Sequence, residues 1–389
     1  MLSELISHSA DLQRLLQEGF ELEIVEEGFL LIHNVPYVTP EKVVKRGTLV
    51  SNLYHSGGQT IKPQSHVAFF MGQCPSTAAG VKLHFVIGDA KTVISPDHTI
   101  DFTLSAKADY ADHYHKMQSY LKLLGHQADE LVPGLTAATY KVYEPVETDS
   151  VFEYADTNST KAMIHPITGK LKGQRLAIIG LGGTGSYLLD MLAKTPVSEI
   201  HTFDGDTFFQ HNAFRAPGAA PKVKLQERLK KTDYFKQVYA HMHKGIVSHP
   251  YEMDEAHLAE LDGMTGVFLS MDPSPFKKVI IDYLVASGIP VFHTGIGLQE
   301  VDGAIRGQVK VTTIDQAHHD HVASKVSFAE PADNLYDQNI QIAELNALNA
   351  ILAVIRWKKM LGFYKDHDSE YFSNYVLYTN EIHNSELPF

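Results

Sequence analysis

The residues of this chain with the clearest chemical potential surround a glycine-rich turn, in the stretch "RLAIIGLGGTGSYLLDMLAKTPVSEIHTFDGD". The turn contains four glycines: Gly180, Gly182, Gly183 and Gly185. Three of them have GxGxxG spacing between an apolar strand and a helix, where backbone and helix N–H groups can approach phosphates. Asp204, 24 residues after Gly180, is placed to bind ribose hydroxyls. The pattern predicts a nucleotide site, with tight packing around the glycines as the structural alternative.

Residues beyond the turn narrow the kind of nucleotide chemistry. The second strand ends in "DGD", which adds Asp206, and "HNAFR" follows with Asn212 and Arg215. Lys231 opens a later helical stretch, and Asp272 follows the strand "GVFLS". From about residue 172 to 362 this order resembles the ThiF/MoeB superfamily, the adenylating enzymes that activate ubiquitin-like proteins and sulfur-carrier proteins.

The chain departs from the family pattern at several positions. Ala216 replaces the family's glutamine, and Lys277 occupies the site of a usual arginine. The stretch "APGAAPKVKLQERLK" resembles an insertion, so Lys222 and Lys230 are alternatives to Lys231 as the family's lysine.

The resemblance implies that ATP is attacked at its α-phosphate by the C-terminal carboxylate of a small protein. Such catalysis consists mainly of charge neutralisation and alignment. The implied roles are Mg²⁺ binding by Asp272, phosphate neutralisation by Lys231 and Arg215, and phosphate or carboxylate positioning by Asn212. Asp204 would hold the ribose, and the glycine amides would lie near the phosphates. The structural alternatives are turn closure for Asp206 and Asn212 and helix capping for Asp272.

The family is commonly homodimeric, and its members often borrow an arginine from the partner's N-terminal arm. The segment before the first Rossmann strand has no arginine until Arg175, so Lys161 is the remaining candidate, although it lacks the planar fork. The long amphipathic helix expected at Ala343–Tyr364 is a candidate dimer interface.

Cysteine content limits the chemistry further. Cys74 is the sole cysteine, which excludes an intrachain disulfide, a CxxC zinc site and a crossover-loop cysteine between Thr313 and Ile342. We therefore expect no structural zinc of the family's CxxC type. Cys74 itself is either a reachable nucleophile or a small, partly buried residue. Two histidine-rich runs, "HHDH" (His318, His319 and His321) and "DHYH" (Asp112, His113 and His115), offer only weak metal-binding patterns.

The distribution of segments predicts an α/β protein with two domains. Residues 1–145 form an α+β N-terminal domain, with short strands from Glu21 to about Asp101 and a helix at 109–124. The polar residues 146–170 form a linker. Residues 171–389 form the ThiF-like adenylation domain, with a doubly wound, Rossmann-like and mostly parallel sheet. The N-terminal domain shows no catalytic motif, and recognition of a carrier or conjugating enzyme is its expected role.

Composition excludes several functional classes. A formal charge of −13 disfavours nucleic acid as a partner, and no apolar run is long enough to cross a membrane. We expect a cytoplasmic enzyme. Two alternatives remain: an NAD-dependent oxidoreductase using the same turn, and a non-catalytic nucleotide-binding scaffold.

Overall fold

The computed structural model describes residues 4–26, 28–143, 150–162, 164–329 and 340–385, in two compact units. Unit 1 comprises Met1–Thr148 and Tyr154–Met163, and unit 2 comprises Asp149–Glu153 and Ile164–Phe389. The segment expected to be a linker, 146–170, contains two short helices, Thr157–Ala162 and His165–Thr168.

Unit 1 contains an antiparallel sheet and four helices. The helices are α1 (Glu4–His8), α2 (Ala10–Gln17), α3 (His113–Leu131) and α4 (Thr157–Ala162). The strands are β1 (Leu22–Val25), β2 (Phe29–Val38), β3 (Val44–Asn52), β4 (His55–Ser56), β5 (Gln59–Thr60), β6 (Val67–Met71), β7 (Val86–Ser95) and β8 (His98–Ser105). Six of them form one sheet in the order β1-β2-β3-β6-β8-β7.

The longest helix of unit 1 begins four residues later than the sequence pattern suggests. Asp112 caps it, because its carboxylate accepts a hydrogen bond from the His115 backbone N–H at 2.8 Å. Met117, Tyr120 and Leu124 then lie fully buried on one face of α3, within a core that they share with strand residues such as Leu30 and Phe70. The predicted α+β domain is confirmed.

Unit 2 is built around an eight-stranded sheet. Its helices are α5 (His165–Thr168), α6 (Gly183–Leu192), α7 (Gln210–Ala213), α8 (Lys222–Glu227), α9 (Lys231–Tyr239), α10 (Pro275–Ala286), α11 (Val322–Lys325) and α12 (Ala343–Met360), with 3₁₀ turns at Gly169–Leu171 and Glu255–Leu261. The strands are β9 (Arg175–Ile179), β10 (Glu199–Phe203), β11 (Ile246–His249), β12 (Gly266–Leu269), β13 (Val291–Val301), β14 (Ala304–Ile314), β15 (Phe372–Val376) and β16 (Glu381–Ser385).

The order of this sheet, β11-β10-β9-β12-β13-β14-β15-β16, confirms the Rossmann-like, mostly parallel prediction. The first five strands pair in parallel, and the last three are added in antiparallel fashion. Strand β9 precedes both of its neighbours in sequence, so the chain winds outward from it in two directions. Ligands of such sheets bind at the carboxyl ends of the strands where the winding reverses. The site should therefore lie beyond Ile179 and Leu269.

None of the helices in the described part of the chain is long and apolar enough to span a bilayer.

Candidate active site

The glycine-rich turn follows β9 at the point where the winding of the sheet reverses. Gly180 has a φ of +89°, and a Cβ there would lie 2.6 Å from the Ser270 carbonyl oxygen. Only glycine fits this conformation and this approach to the chain leaving β12. Gly182 differs, since a Cβ there would meet no described atom within 4 Å. The backbone at Gly182 is thus open to a ligand.

The other two glycines allow close packing. A Cβ on Gly185 would lie 2.0 Å from the Gly180 carbonyl oxygen, and one on Gly183 would lie 2.0 Å from Nδ2 of Asn346. Helix α6 can therefore approach both the turn and α12 closely. Tight packing therefore explains the glycines at positions 183 and 185, whereas it does not explain the glycine at position 182.

Asp204 connects the glycine-rich turn to the end of β10 through hydrogen bonds. Its Oδ2 accepts a hydrogen bond from the Leu181 N–H at 2.7 Å, and its Oδ1 accepts one from the Asp206 N–H at 2.9 Å. The residue is 8% exposed. Oδ1 retains a further lone pair, so this anchoring leaves acceptor capacity for a ribose.

Lys231 brings the predicted residues together. Its Nζ lies 2.6 Å from Oδ2 of Asp206 and 3.3 Å from Oδ2 of Asp204, and its backbone N–H donates to the Asp206 carbonyl. The side chain is 7% exposed. By contrast, Lys230 donates to the Gly205 carbonyl from an exposed position, and Lys222 lies exposed at the start of α8. Of the three lysines, Lys231 is the one held at the strand ends.

Arg215 supplies a second cation to this region. Its Nε is buried and has no hydrogen-bond partner among the described residues. Burial lowers the pKa of its guanidinium, while the carboxylates of Asp272 and Asp206 oppose that effect. A buried guanidinium N–H without a partner carries a desolvation penalty that an anionic ligand would remove. Asp272 itself is exposed at the end of β12.

Local hydrogen bonds bear on the structural alternatives for two predicted residues. Asn212 is 4% exposed, and its Oδ1 accepts a hydrogen bond from the Phe209 N–H at 2.8 Å, so it closes the first turn of α7. Asp272 is not the cap of α10, because the Ser274 hydroxyl accepts the Lys277 N–H at 3.3 Å instead. The carboxylate of Asp272 is therefore not required for helix capping.

Glu252 is a site residue that the sequence patterns missed. Its carboxylate has an oxygen within 4.8 Å of oxygens of Asp204 and Asp206. Burial, followed by these two carboxylates, raises the pKa of Glu252. No motif marks the loop after β11, so only the folded chain reveals this third acid.

Lys277 and His293 form a second unanticipated feature beside Asp272. Burial lowers the pKa of Lys277 to about 8, with Asp272 opposing the shift. Burial and the nearby Lys277 lower the pKa of His293 to about 3. The imidazole is thus neutral in ordinary buffers, and its Nδ1 has no hydrogen-bond partner in the described part of the chain.

The remaining candidate residues lie in ordinary surroundings. Cys74 is partly buried against the core of unit 1, and burial raises the pKa of its thiol. His318 pairs with Asp315, and Nε2 of His321 lies 2.9 Å from the Thr313 carbonyl. Within the described ranges, neither histidine-rich run forms a group of three metal-binding atoms within 4.8 Å. The expected crossover-loop region falls partly at 330–339, outside the described residues.

A doubly wound sheet with a glycine-rich turn, paired strand-end acids and two cations is an arrangement suited to binding a nucleotide. Residues 156–388 match the ThiF family. Because this match covers more than half of the chain, the protein belongs to the ThiF family. Residues 10–157 match a domain of unknown function, DUF6791. Family membership supports ATP-dependent adenylation of a protein or peptide C-terminus as the class of activity.

Several solved structures are similar to this chain in fold. E. coli MccB with MccA-N7isoASN is 16% identical, over 59% of this chain and 67% of that chain, with a TM-score of 0.46. E. coli MccB with ATP is 17% identical, over 58% and 67%, with a TM-score of 0.45. Selenomethionine PaaA is 17% identical, over 57% and 75%, with a TM-score of 0.46. None of the curated proteins compared with the chain matches it.

Proposed function

We propose that this protein adenylates the C-terminal carboxylate of a ubiquitin-like or sulfur-carrier protein with ATP. The observation that carries the proposal is the placement of Lys231 between Asp204 and Asp206 beside the open backbone at Gly182. The unpaired Nε of Arg215 adds an unused cationic donor to the same strand ends. Such an arrangement suits a substrate that brings several negative charges.

In the proposed reaction, a carboxylate oxygen of the carrier attacks the α-phosphorus of ATP. The new bond joins carboxylate and phosphorus, the bond from phosphorus to the bridging oxygen breaks, and pyrophosphate leaves with both electrons. Arg215 and Lys231 would neutralise charge on the phosphates as it shifts toward the leaving group. Asp204 would hold the ribose, and Asp206 would release Lys231 as the phosphates arrive. Asn212 would position a phosphate or the carboxylate through its amide nitrogen.

The acidic residues fit a single Mg²⁺ ion in only one place. The cluster of Asp204, Asp206 and Glu252 already holds the ammonium of Lys231. Asp272 is exposed, lies near Arg215 and is not used to cap α10. Since Mg²⁺ in nucleotide sites takes one or two carboxylates and phosphate oxygens, Asp272 is the proposed ligand. The ion would screen repulsion between the carboxylate and the phosphates.

The rest of the proposal concerns the protein's surroundings. The N-terminal domain would recognise the carrier or a conjugating enzyme, and the ThiF domain would form a homodimer in the cytoplasm. The single cysteine of this chain, Cys74, lies outside the ThiF domain, so a thioester step would use either that thiol or a thiol of another protein.

A carrier-dependent ATP–pyrophosphate exchange assay tests the central proposal. The probe is a small β-grasp protein that ends in Gly-Gly, compared with the same protein lacking its last two residues. We expect Asp272→Asn to reduce exchange on the order of 100-fold, because one electrostatic contact to the transition state is lost. The matched control is Asp282→Asn, which removes an exposed partner of Lys278 on α10 and should leave exchange unchanged.

Three results would overturn the proposal. They are exchange that is unaffected by Asp272→Asn, absence of exchange with the intact carrier in Mg²⁺, and calorimetric binding of NAD in preference to ATP. The second result together with tight ATP binding would identify a scaffold, whereas the third would identify an oxidoreductase.

A further inference from the structure

Unit 1 contains a cluster of two histidines and one glutamate that the proposed adenylation chemistry does not use. Nε2 of His33 lies 2.8 Å from Oε2 of Glu23, and Nε2 of His98 lies 3.5 Å from the same oxygen. One donor atom from each residue lies within 4.8 Å of the other two. We propose that these three side chains bind a divalent transition-metal ion of the Zn²⁺ class.

The spacing of the donor atoms suits tetrahedral coordination. Zinc binds imidazole nitrogen at about 2.0–2.1 Å and carboxylate oxygen at about 2.0–2.2 Å, so neighbouring ligands in a tetrahedron are about 3.3–3.5 Å apart. The 3.5 Å between His98 and Glu23 matches this separation, whereas the 2.8 Å between His33 and Glu23 is about half an ångström shorter. Entry of a metal ion would therefore require the His33 imidazole and the Glu23 carboxylate to separate by about that distance.

The two imidazoles are oriented by hydrogen bonds on their opposite nitrogens. Nδ1 of His33 lies 3.1 Å from the Thr48 hydroxyl, and Nδ1 of His98 lies 2.8 Å from the Ser95 hydroxyl. Metal-binding histidines characteristically engage a hydrogen-bond partner through the nitrogen that does not bind the metal. Both Nε2 atoms are left to converge on Glu23.

The backbone of β2 contributes to this convergence. Strand pairing shifts between Ile32 and Val35, so that His33 and Asn34 together oppose Thr48 on β3. Asn34 adopts a φ of +59° within this β-bulge. Because a bulge redirects side chains away from the regular alternation, it sets the direction of the His33 imidazole. His98 reaches the cluster from the tight turn between β7 and β8.

The exposure of the cluster implies an open coordination position. The side chains of His33 and His98 are 22% and 17% exposed, and that of Glu23 is 40% exposed. An ion can thus enter from solvent, and a water molecule can complete a four-ligand shell, as in zinc sites with three protein ligands. The bound ion would join β1, β2 and the β7–β8 hairpin.

Titration of the full-length, metal-stripped protein with Zn²⁺ tests this site without ATP or a carrier. We expect one tight ion per chain, and His98→Gln should weaken its binding by more than about 100-fold. Thr48→Val removes only the orienting hydroxyl and should weaken binding by about 10- to 100-fold. The matched control is His84→Gln, which alters an exposed histidine of the same unit.

A second readout identifies the ligands. X-ray absorption at the zinc edge should show two imidazole ligands in the wild-type protein and one in the His98→Gln variant. Circular dichroism checks that the variant is folded. Equal zinc affinity in wild type, Glu23→Gln and His98→Gln would overturn the proposal, as would loss of binding in His84→Gln. None of these outcomes depends on adenylation, so the two proposals fail separately.

Discussion

At the scale of single residues, Lys277 has an ammonium group in an unusual position at the start of α10. The residue is 2% exposed, and burial lowers its pKa to about 8, below its ordinary value of 10.5. Asp272 favours the charged form but does not compensate for the lost hydration. The folded protein therefore releases this proton at a lower pH than the unfolded chain does.

This difference predicts a pH dependence of stability. Between about pH 8 and 10.5 the unfolded chain binds more protons at Lys277 than the folded protein, so its contribution to stability rises with pH. Relative to the Lys277→Met variant, the wild type should gain about 2 kcal/mol between pH 7.5 and 9.5. Chemical denaturation at the two pH values measures the change. The control variant is Lys278→Met, which alters an exposed neighbour, and relative to this variant the wild type should gain no stability between the two pH values. The prediction would be contradicted if the wild type gained equally relative to both variants.

At the scale of elements, α10 is capped by a residue that has no proposed role in the chemistry. The Ser274 hydroxyl accepts the Lys277 N–H, so Ser274→Ala should destabilise the protein by about 1 kcal/mol. Ser287→Ala at the other end of α10 makes the same chemical change at an exposed position, where the hydroxyl caps no helix within the described residues. It should therefore stay within about 0.5 kcal/mol. Denaturant titration distinguishes the two, and a similar loss in both would show that the cap contributes little.

The elements nearest the nucleotide turn could be predicted from sequence because each combines a strong local pattern with a clear boundary. Strand β9 is apolar from Leu176 to Ile179, and Asp204 follows the next strand as expected. Strand β3 has no such clear pattern, because its charged residues Lys45 and Arg46 disrupt the alternation. The position of Glu252 depends on how β11 packs beside β10, which no local pattern encodes.

At the scale of the whole molecule, each unit has its own buried core. Unit 1 is centred on residues such as Tyr37 and Tyr120, whereas unit 2 contains clusters on both faces of its sheet, with Trp357 and Leu284 as members. Substitutions in one core should therefore affect the melting of that unit.

Two glycine substitutions test this expectation. Gly185→Ala directs a Cβ to within 2.0 Å of a backbone oxygen in unit 2 and should destabilise that unit by about 1–3 kcal/mol. Gly125→Ala lies inside α3 of unit 1, where a Cβ meets no described atom within 4 Å, and should stabilise it by about 0.5–1 kcal/mol. Calorimetry should record opposite shifts of about 2–4 °C per kcal/mol. Shifts of one common transition would show that the units unfold together.

The ion pair between Lys231 and Asp206 has a consequence for how the resting protein meets its substrate. Asp206 is 66% exposed, so it can move aside without unfolding anything, whereas Lys231 is buried and fixed. The aspartate thus acts as a resident counter-ion that holds the lysine side chain in place. Under the proposed function, each arriving phosphate would have to exchange with this carboxylate. A weakly charged ligand would then gain little, and the site would select for polyanions before any chemistry begins.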